Sequence, residues 1–518
     1  MSKVGLSTTV EIPDGLGSAA TRSVSLTFAR PTEFRLTEVI KQVEVLSTLS
    51  GIAAELTKKG NLDAAVRKVE AAVGRGKLIE AIEQLRSGAA NEAPAPAPAV
   101  TQAPAPAPEP APSPAPETSS GGSALDAIFG KADVASPATS AEPTAAAKSG
   151  LDAFIGAMRG SKSSSTTTQK RGTPIEREVA QLIDGAVEST ALDLMAAATV
   201  SDLESAWRGL RMVVSASPGA DDLGIDLVDT NADALVAHLG PRLDVPPMER
   251  PDAVFVALPV NTIEKLQALA ELGARSRVPI VVEIPEGTTG AWLDDLPEAA
   301  PAPEGWTELR KNESTSWLCA ASNAVVLANE QNKLARRIVF GSPVWGVASM
   351  ISASVGQTGG PGQIFGRAGA LVSPASHQLG EDEGSPTVAT ERLASIDRQR
   401  ALAARGVLVL GSEQGTDRLR LAAAPMVQPG QHDLTLPGRI LAGRASRLTQ
   451  AVRDDLPPQA TSQELAARLA DASTNFLPRS PRGAVALEVR TDAQGEPAVH
   501  TSIGAALAGA SFNFDSDL

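Results

Sequence analysis

The sequence predicts an α/β fold, and three observations carry that reading. First, Ala253–Leu258 is uniformly apolar, as a strand covered on both faces would be, and Val278–Ile284 repeats the pattern. Between them Ile263, Leu266, Leu269, Ala270 and Leu272 recur at helical spacing. Strand, helix and strand at this distance form a βαβ unit, expected to be parallel and right-handed. Second, Ile225–Val228, Ala324–Leu327 and Gly406–Leu410 read as further strands on either side of that unit. Third, Val485, Leu487 and Val489 alternate with polar residues, as do Val499, Thr501 and Ile503. Asp492–Gly495 between them reads as a hairpin turn.

The helix after the first strand has a start signal. Asn261 is placed to cap it, with Glu264 returning the bond. Arg444–Val452 reads as a late helix. At the amino-terminal end, Thr8–Ile12 and Val24–Phe28 are strand-like. Leu36, Val39, Ile40, Val43, Leu46, Leu49, Ile52 and Leu56 then form one apolar stripe, which Gly60 ends. Leu62–Val73 and Leu78–Leu85 continue as two shorter helices.

Four regions are expected. Residues 1–88 are a small, mainly helical segment, and 89–150 are an Ala/Pro-rich linker. Residues 151–173 hold a short docking helix and a Ser/Thr-rich spacer, and 174–518 are the large domain. Alternating Ala-Pro removes amide donors and favours extended polyproline II, so the linker reads as a semi-rigid spacer. A short repeat sits in this region: Leu125-Asp126-Ala127-Ile128-Phe129-Gly130 recurs as Leu151-Asp152-Ala153-Phe154-Ile155-Gly156. Each copy is a small amphipathic patch too short to be a stable helix in water, and is expected to order on a partner groove.

Composition narrows the function. A net charge of −14 argues against a phosphate-backbone binder. Residues 1–88 carry 12 Lys and Arg against 10 Asp and Glu, so the acidity resides in the rest of the chain. Cys319 has no second cysteine to pair with, which fits a reducing compartment. No early signal-peptide pattern and no bilayer-length apolar run are evident, so a cytoplasmic protein without membrane insertion is expected.

Catalytic and metal motifs are not apparent. His238, His377, His432 and His500 are scattered without metal-ligand spacing. Gly76-Lys77 has Ala71 and Leu78 where a phosphate-binding loop needs Gly and Ser/Thr, and reads as a turn between helices. Gly356–Gly366 offers backbone amides to a phosphate, but without a following Lys or dinucleotide spacing it reads as a turn. Glu381–Glu383 reads as a solvated loop, Cys319 as core, and Trp207 as a core anchor with Arg208 at its edge. No catalytic residue, metal or cofactor is assigned.

The order of several short segments resembles TssC (VipB), the large sheath protein of type VI secretion systems. These are Trp207-Arg208-Gly209-Leu210, the βαβ unit, and Trp306 through Arg310 to Glu313. Then come Phe340-Gly341-Ser342-Pro343, Gly359–Gly366, Pro386-Thr387, Ala424 to Pro429 and Gly509-Ala510-Ser511-Phe512. Pro343 departs from the family pattern. Residues 1–88 resemble the end of its partner TssB (VipA), so the chain looks like both halves of a sheath protomer in one polypeptide.

The resemblance implies a TssC-like core, a packed TssB-like segment and strand-exchanging termini. It also implies a non-enzymatic structural subunit that polymerises around an inner Hcp-type tube, meets baseplate components and contracts. Val485, Leu487, Val489, Val499 and Ile503 are then the candidate inter-subunit strand residues. Leu151, Asp152, Phe154, Ile155, Met158 and Arg159 match the helix gripped by the AAA+ disassembly ATPase ClpV. Two other readings are a non-contractile tube or lattice protein of the same fold, and a phosphate-binding α/β enzyme using the Gly-rich loop.

Overall fold

A computed structural model describes residues 6–12, 16, 23–87, 173–217, 223–285, 288, 303–333, 335–380, 382, 384–428, 434–457, 459–480, 483–491 and 497–517. The linker, both Leu-Asp patches with Leu151–Arg159, the turn 492–496 and His432 lie outside them. In chain order the elements begin with β1 (Leu6–Glu11), β2 (Ser23–Phe28), α1 (Leu36–Gln42), α2 (Glu44–Lys59), α3 (Leu62–Val73), α4 (Lys77–Ser87), α5 (Pro174–Ala196), α6 (Ala198–Ala216) and α7 (Leu235–Leu243). Next come β3 (Val254–Pro259), α8 (Ile263–Ser276), β4 (Ile280–Glu283), α9 (Glu304–Leu309), β5 (Leu318–Ser322), β6 (Val325–Gln331), β7 (Arg336–Gly341) and α10 (Pro343–Thr358). They continue with β8 (Leu371–Val372), β9 (His377–Gln378), β10 (Thr387–Val388), α11 (Ile396–Ala404), β11 (Val407–Val409), β12 (Gly411–Ser412) and β13 (Arg418–Arg420). The last are α12 (Leu436–Asp455), α13 (Ser462–Phe476), β14 (Arg479–Ser480), β15 (Gly483–Thr491), β16 (Pro497–Ile503), α14 (Ala505–Ala508) and β17 (Phe512–Asp517).

The fold is mixed helix and sheet, and it divides into two compact units. One comprises residues 1–10, 24–42 and 194–518; the other comprises 11–23 and 43–193. Helix α5, at the start of the region read as the large domain, therefore groups with α2, α3 and α4. Gly60 ends α2 in the left-handed conformation at φ +65°, and a Cβ there would meet the Glu176 carboxylate at 3.1 Å. Glu176 in turn accepts from the Thr173 amide at 2.7 Å and caps α5.

The predicted stripe holds as burial: Leu36, Val39, Val43, Leu46, Leu49, Ile52 and Leu56 are all buried. It is two helices rather than one, because α1 ends at Gln42 and α2 begins at Glu44. Residues 36–42 group with the larger unit, where the rings of Phe28 and Phe34 stack 4.0 Å apart and are fully buried.

The βαβ expectation holds as a four-stranded parallel sheet of order β11-β5-β4-β3. Leu266, Leu269 and Leu272 of α8 pack on one face with Val256, Ile280 and Leu318. Val344, Val347 and Met350 of α10 cover the other with Val281, Cys319 and Leu408. Several expectations are corrected. The cap of α8 is Thr262, whose hydroxyl accepts from the Lys265 amide, because Asn261 lies one residue too early. Ala324–Leu327 does not join the parallel sheet; it belongs to β6, which pairs antiparallel with β7. The late helix is α12, far longer than its polar half suggested. The segment 225–228 makes no strand: it has no ladder partner among the described residues, and Ile225 and Leu227 are 41% and 61% exposed.

Candidate assembly site

The predicted hairpin is the centre of an antiparallel sheet of order β14-β15-β16-β17. Its register places Val485 opposite Ile503, Leu487 opposite Thr501 and Val489 opposite Val499. On the other side Ile503 faces Phe512 and Thr501 faces Phe514. Side chains alternate across a strand, so all five candidate strand residues share one face. That face is the chain's own core. Val485 and Ile503 pack with Leu441, Ala445 and Leu448 of α12, whereas Val499 packs with Leu465 and Leu469 of α13. Leu487 and Val489 are half-buried beside them.

The opposite face is polar. Glu488, His500 and Asp515 are cross-strand neighbours, with His500 Nδ1 2.8 Å from Asp515 Oδ1. The Arg490 guanidinium, 2.6 Å from Glu488, holds that carboxyl below the usual carboxylate range. A partner would therefore meet this sheet at its edges. β14 runs beside Gly483 and Ala484 alone, so the outer edge of β15 from Val485 to Thr491 is unpaired among the described residues. β17 is the last strand of this sheet, and β1 and β2 form a separate two-stranded sheet. Open edges present free backbone donors and acceptors, and a two-stranded sheet alone is marginal in water.

The Gly-rich run seats this sheet on the parallel-sheet body. Gly359 ends α10 in the left-handed region at φ +76°. A Cβ on Gly362 would lie 2.3 Å from the Gly509 amide nitrogen, and one on Gly360 would lie 2.7 Å from Leu507. Loop and α14 thus meet backbone to backbone, which larger residues would prevent. The run follows the carboxyl end of α10, where the helix dipole is negative, so it is the wrong end for a phosphate. The amino end of α10 is capped by Ser342, which accepts from the Val344 amide, and Pro343 occupies the first helical position, where its missing N–H costs nothing. Ser342 also hydrogen-bonds Glu283, whose carboxyl burial pushes above the usual range despite that bond, with Glu391 adding to the rise.

The short motifs are joints. Arg208 binds Glu204 and Glu330, each at 2.7 Å, and Arg337 binds the same two carboxylates. This ties α6 to the β6–β7 hairpin through a fully buried Glu204. Gly209 lies against the Trp345 ring, 2.4 Å from where a Cβ would stand. Trp207 is only half-buried; the deep anchor is Trp306, whose indole donates to the Arg405 carbonyl at 3.0 Å. One turn on, Arg310 donates to the carbonyls of Val427 and Ala404.

Groups with catalytic or metal potential are engaged otherwise. His238 bonds Thr230, and buried His377 bonds the Thr390 carbonyl. Cys319 is fully buried, and burial pushes its thiol far up. Among the described residues no group of three or more His, Cys, Asp or Glu could hold a metal ion, and no helix is long and apolar enough to cross a membrane.

No protein-family model and no curated protein sequence matches the chain. Among solved structures it is similar in part to a chain of the cryo-EM structure of the anti-feeding prophage baseplate, 6-fold symmetrised. The TM-score is 0.36 at 11% identity, over 58% of this chain and 76% of that one.

Proposed function

We propose that this chain is the structural subunit of a type VI secretion contractile sheath, with its TssB-like and TssC-like halves in one polypeptide. The observation that carries the reading is the β14–β17 sheet: its apolar face is satisfied within the chain, while the β15 edge from Val485 to Thr491 is open among the described residues. An edge strand left open this way templates pairing, and strand addition from a neighbouring copy, with β1 the candidate donor, would close it. The order of the TssC-like motifs supports the same reading.

Polymerised around an Hcp-type tube on its baseplate, the subunit needs no bound nucleotide. A small free-energy difference per subunit between two packings sums along the lattice and drives contraction. Recycling falls to an external ClpV-type ATPase in the cytoplasm, gripping Leu151, Asp152, Phe154, Ile155, Met158 and Arg159. A labelled peptide spanning 148–162 titrated with the amino-terminal domain of that ATPase tests the grip; binding no tighter than that of its Leu151→Ala/Phe154→Ala control rejects it.

The assembly reading is tested on the purified full chain by electron microscopy and sedimentation. Tubes or helical filaments are expected, and compact particles alone at high concentration would overturn it. Adjacent residues of an antiparallel strand address opposite edges. Ala486→Pro and Leu487→Pro therefore remove donors on opposite sides of β15. The variant that keeps the β15–β16 ladder should melt near the parent and still lose the large assemblies. Unchanged tubes in both variants would reject strand exchange at this edge.

A further inference from the structure

A second pair of unsatisfied partners lies away from the terminal sheet. β3 is the outer strand of the parallel sheet: β4 occupies one side and, among the described residues, nothing occupies the other. From Ala253 to Pro259 it carries no charged side chain, and its proline stands at the last position. It therefore lacks the charges and central prolines with which edges are normally blunted, although its register against β4 shifts between Val256 and Pro259. Its residues are mostly half-buried, unlike the wholly buried β5 of the same sheet.

The chain also contains an apolar segment that joins no sheet among the described residues. Residues 223–229, ahead of α7, have no ladder partner among the described residues, and Ile225 and Leu227 stand 41% and 61% exposed. Two large apolar side chains at i and i+2 would share one face of an extended chain, with Asp226 between them on the other face and Asp229 following. The segment and the edge are matched in length. Among the described residues the two do not pair with each other within one chain.

We infer that the segment Leu223–Asp229 of one copy adds as a strand to the β3 edge of a second copy. Pairing would satisfy the free backbone groups of both elements at once. Ala253 and Ala257 lie on the β3 face that carries Phe255, the face packed on α10. Both are small and half-buried, so they present little bulk to an added strand. The contact rests on the self-association proposed above, although not on sheath geometry, and it is separate from the terminal edges.

The experiment uses two differently tagged full-length chains, both carrying Cys319→Ala. One has Ile225→Cys or Leu227→Cys, and the other has Ala253→Cys or Ala257→Cys. They are mixed, oxidised and sedimented. The expected result is a reducible disulfide joining the two tags in the large-assembly fraction, absent when the donor cysteine is moved to exposed Asp233. Separately, Leu227→Pro should reduce assembly size while circular dichroism stays unchanged. Large assemblies without a disulfide between tags, or with one formed only inside single chains, would overturn the inference and leave self-association standing. No assemblies and no disulfide would overturn both.

Discussion

Glu204 shows how much a single residue can hold. It is fully buried, and the guanidinium groups of Arg208 and Arg337 are its partners, with Glu330 balancing the charge. Removing one member of such a set leaves a buried charge uncompensated, which costs roughly 3–5 kcal/mol. Arg337→Met should therefore lower the urea midpoint of the full chain by a corresponding amount, whereas Lys311→Met, in an exposed pair, should leave it within error. Glu283 behaves in the opposite sense. Its carboxyl is raised by burial, so its folded pKa lies above the unfolded value. The folded chain binds more protons through that window, and stability falls as pH rises through it. Glu283→Gln can keep a hydrogen bond to Ser342 without the buried charge. It should raise the melting temperature at neutral pH and flatten the decline on the alkaline side of the carboxylate range; an unchanged pH profile would assign that decline elsewhere.

At the scale of elements, the Gly-rich loop decides how the terminal sheet is seated. Gly362 faces the backbone of Ala508 and Gly509, so a side chain there has nowhere to go. Gly362→Val should cost more than the ~1–3 kcal/mol typical of overpacking, because backbone rather than a flexible side chain must move. The expected readout is faster hydrogen exchange across β15, β16 and β17 with protection of β4 and β5 retained. Equal protection in variant and parent would show that α14 docks elsewhere. Gly366→Ala makes the contrast: no heavy atom lies within 4 Å, so its cost is that of the φ +62° backbone alone.

The whole molecule is two units, and the amino-terminal stripe tests one of them. Leu46 is fully buried in the unit that holds α2, α3, α4 and α5. Leu46→Asp places a carboxylate there without a partner, at a cost of several kcal/mol. Thermal unfolding should then lose or shift one transition while the larger unit keeps its own. A single transition that shifts as a whole would show that the units unfold together, and an unshifted one would show that Leu46 is not packed as described.

Much of this architecture was legible in the residues. Periodicity located α3, α4, α8, the β3 and β4 strands and the β15–β16 hairpin, because each buries one face or both and so writes its period into the chain. The loop character of the Gly-rich run, and the core position of Cys319, were legible for similar reasons. Other features depend on neighbours that no local pattern names. The apolar Ile225–Val228 looked like a strand, yet a strand exists only where a second one supplies its hydrogen bonds. The Trp-Arg-Gly-Leu motif stood out, yet that Arg208 meets Glu330 and Gly209 meets Trp345 follows from residues more than a hundred positions apart. The grouping of α5 with α2, α3 and α4, and the edges of β3 and β15 left open among the described residues, are likewise outcomes of tertiary packing. Local propensity and burial period are properties of a segment, whereas pairing, sidedness and vacancy are properties of the space between segments.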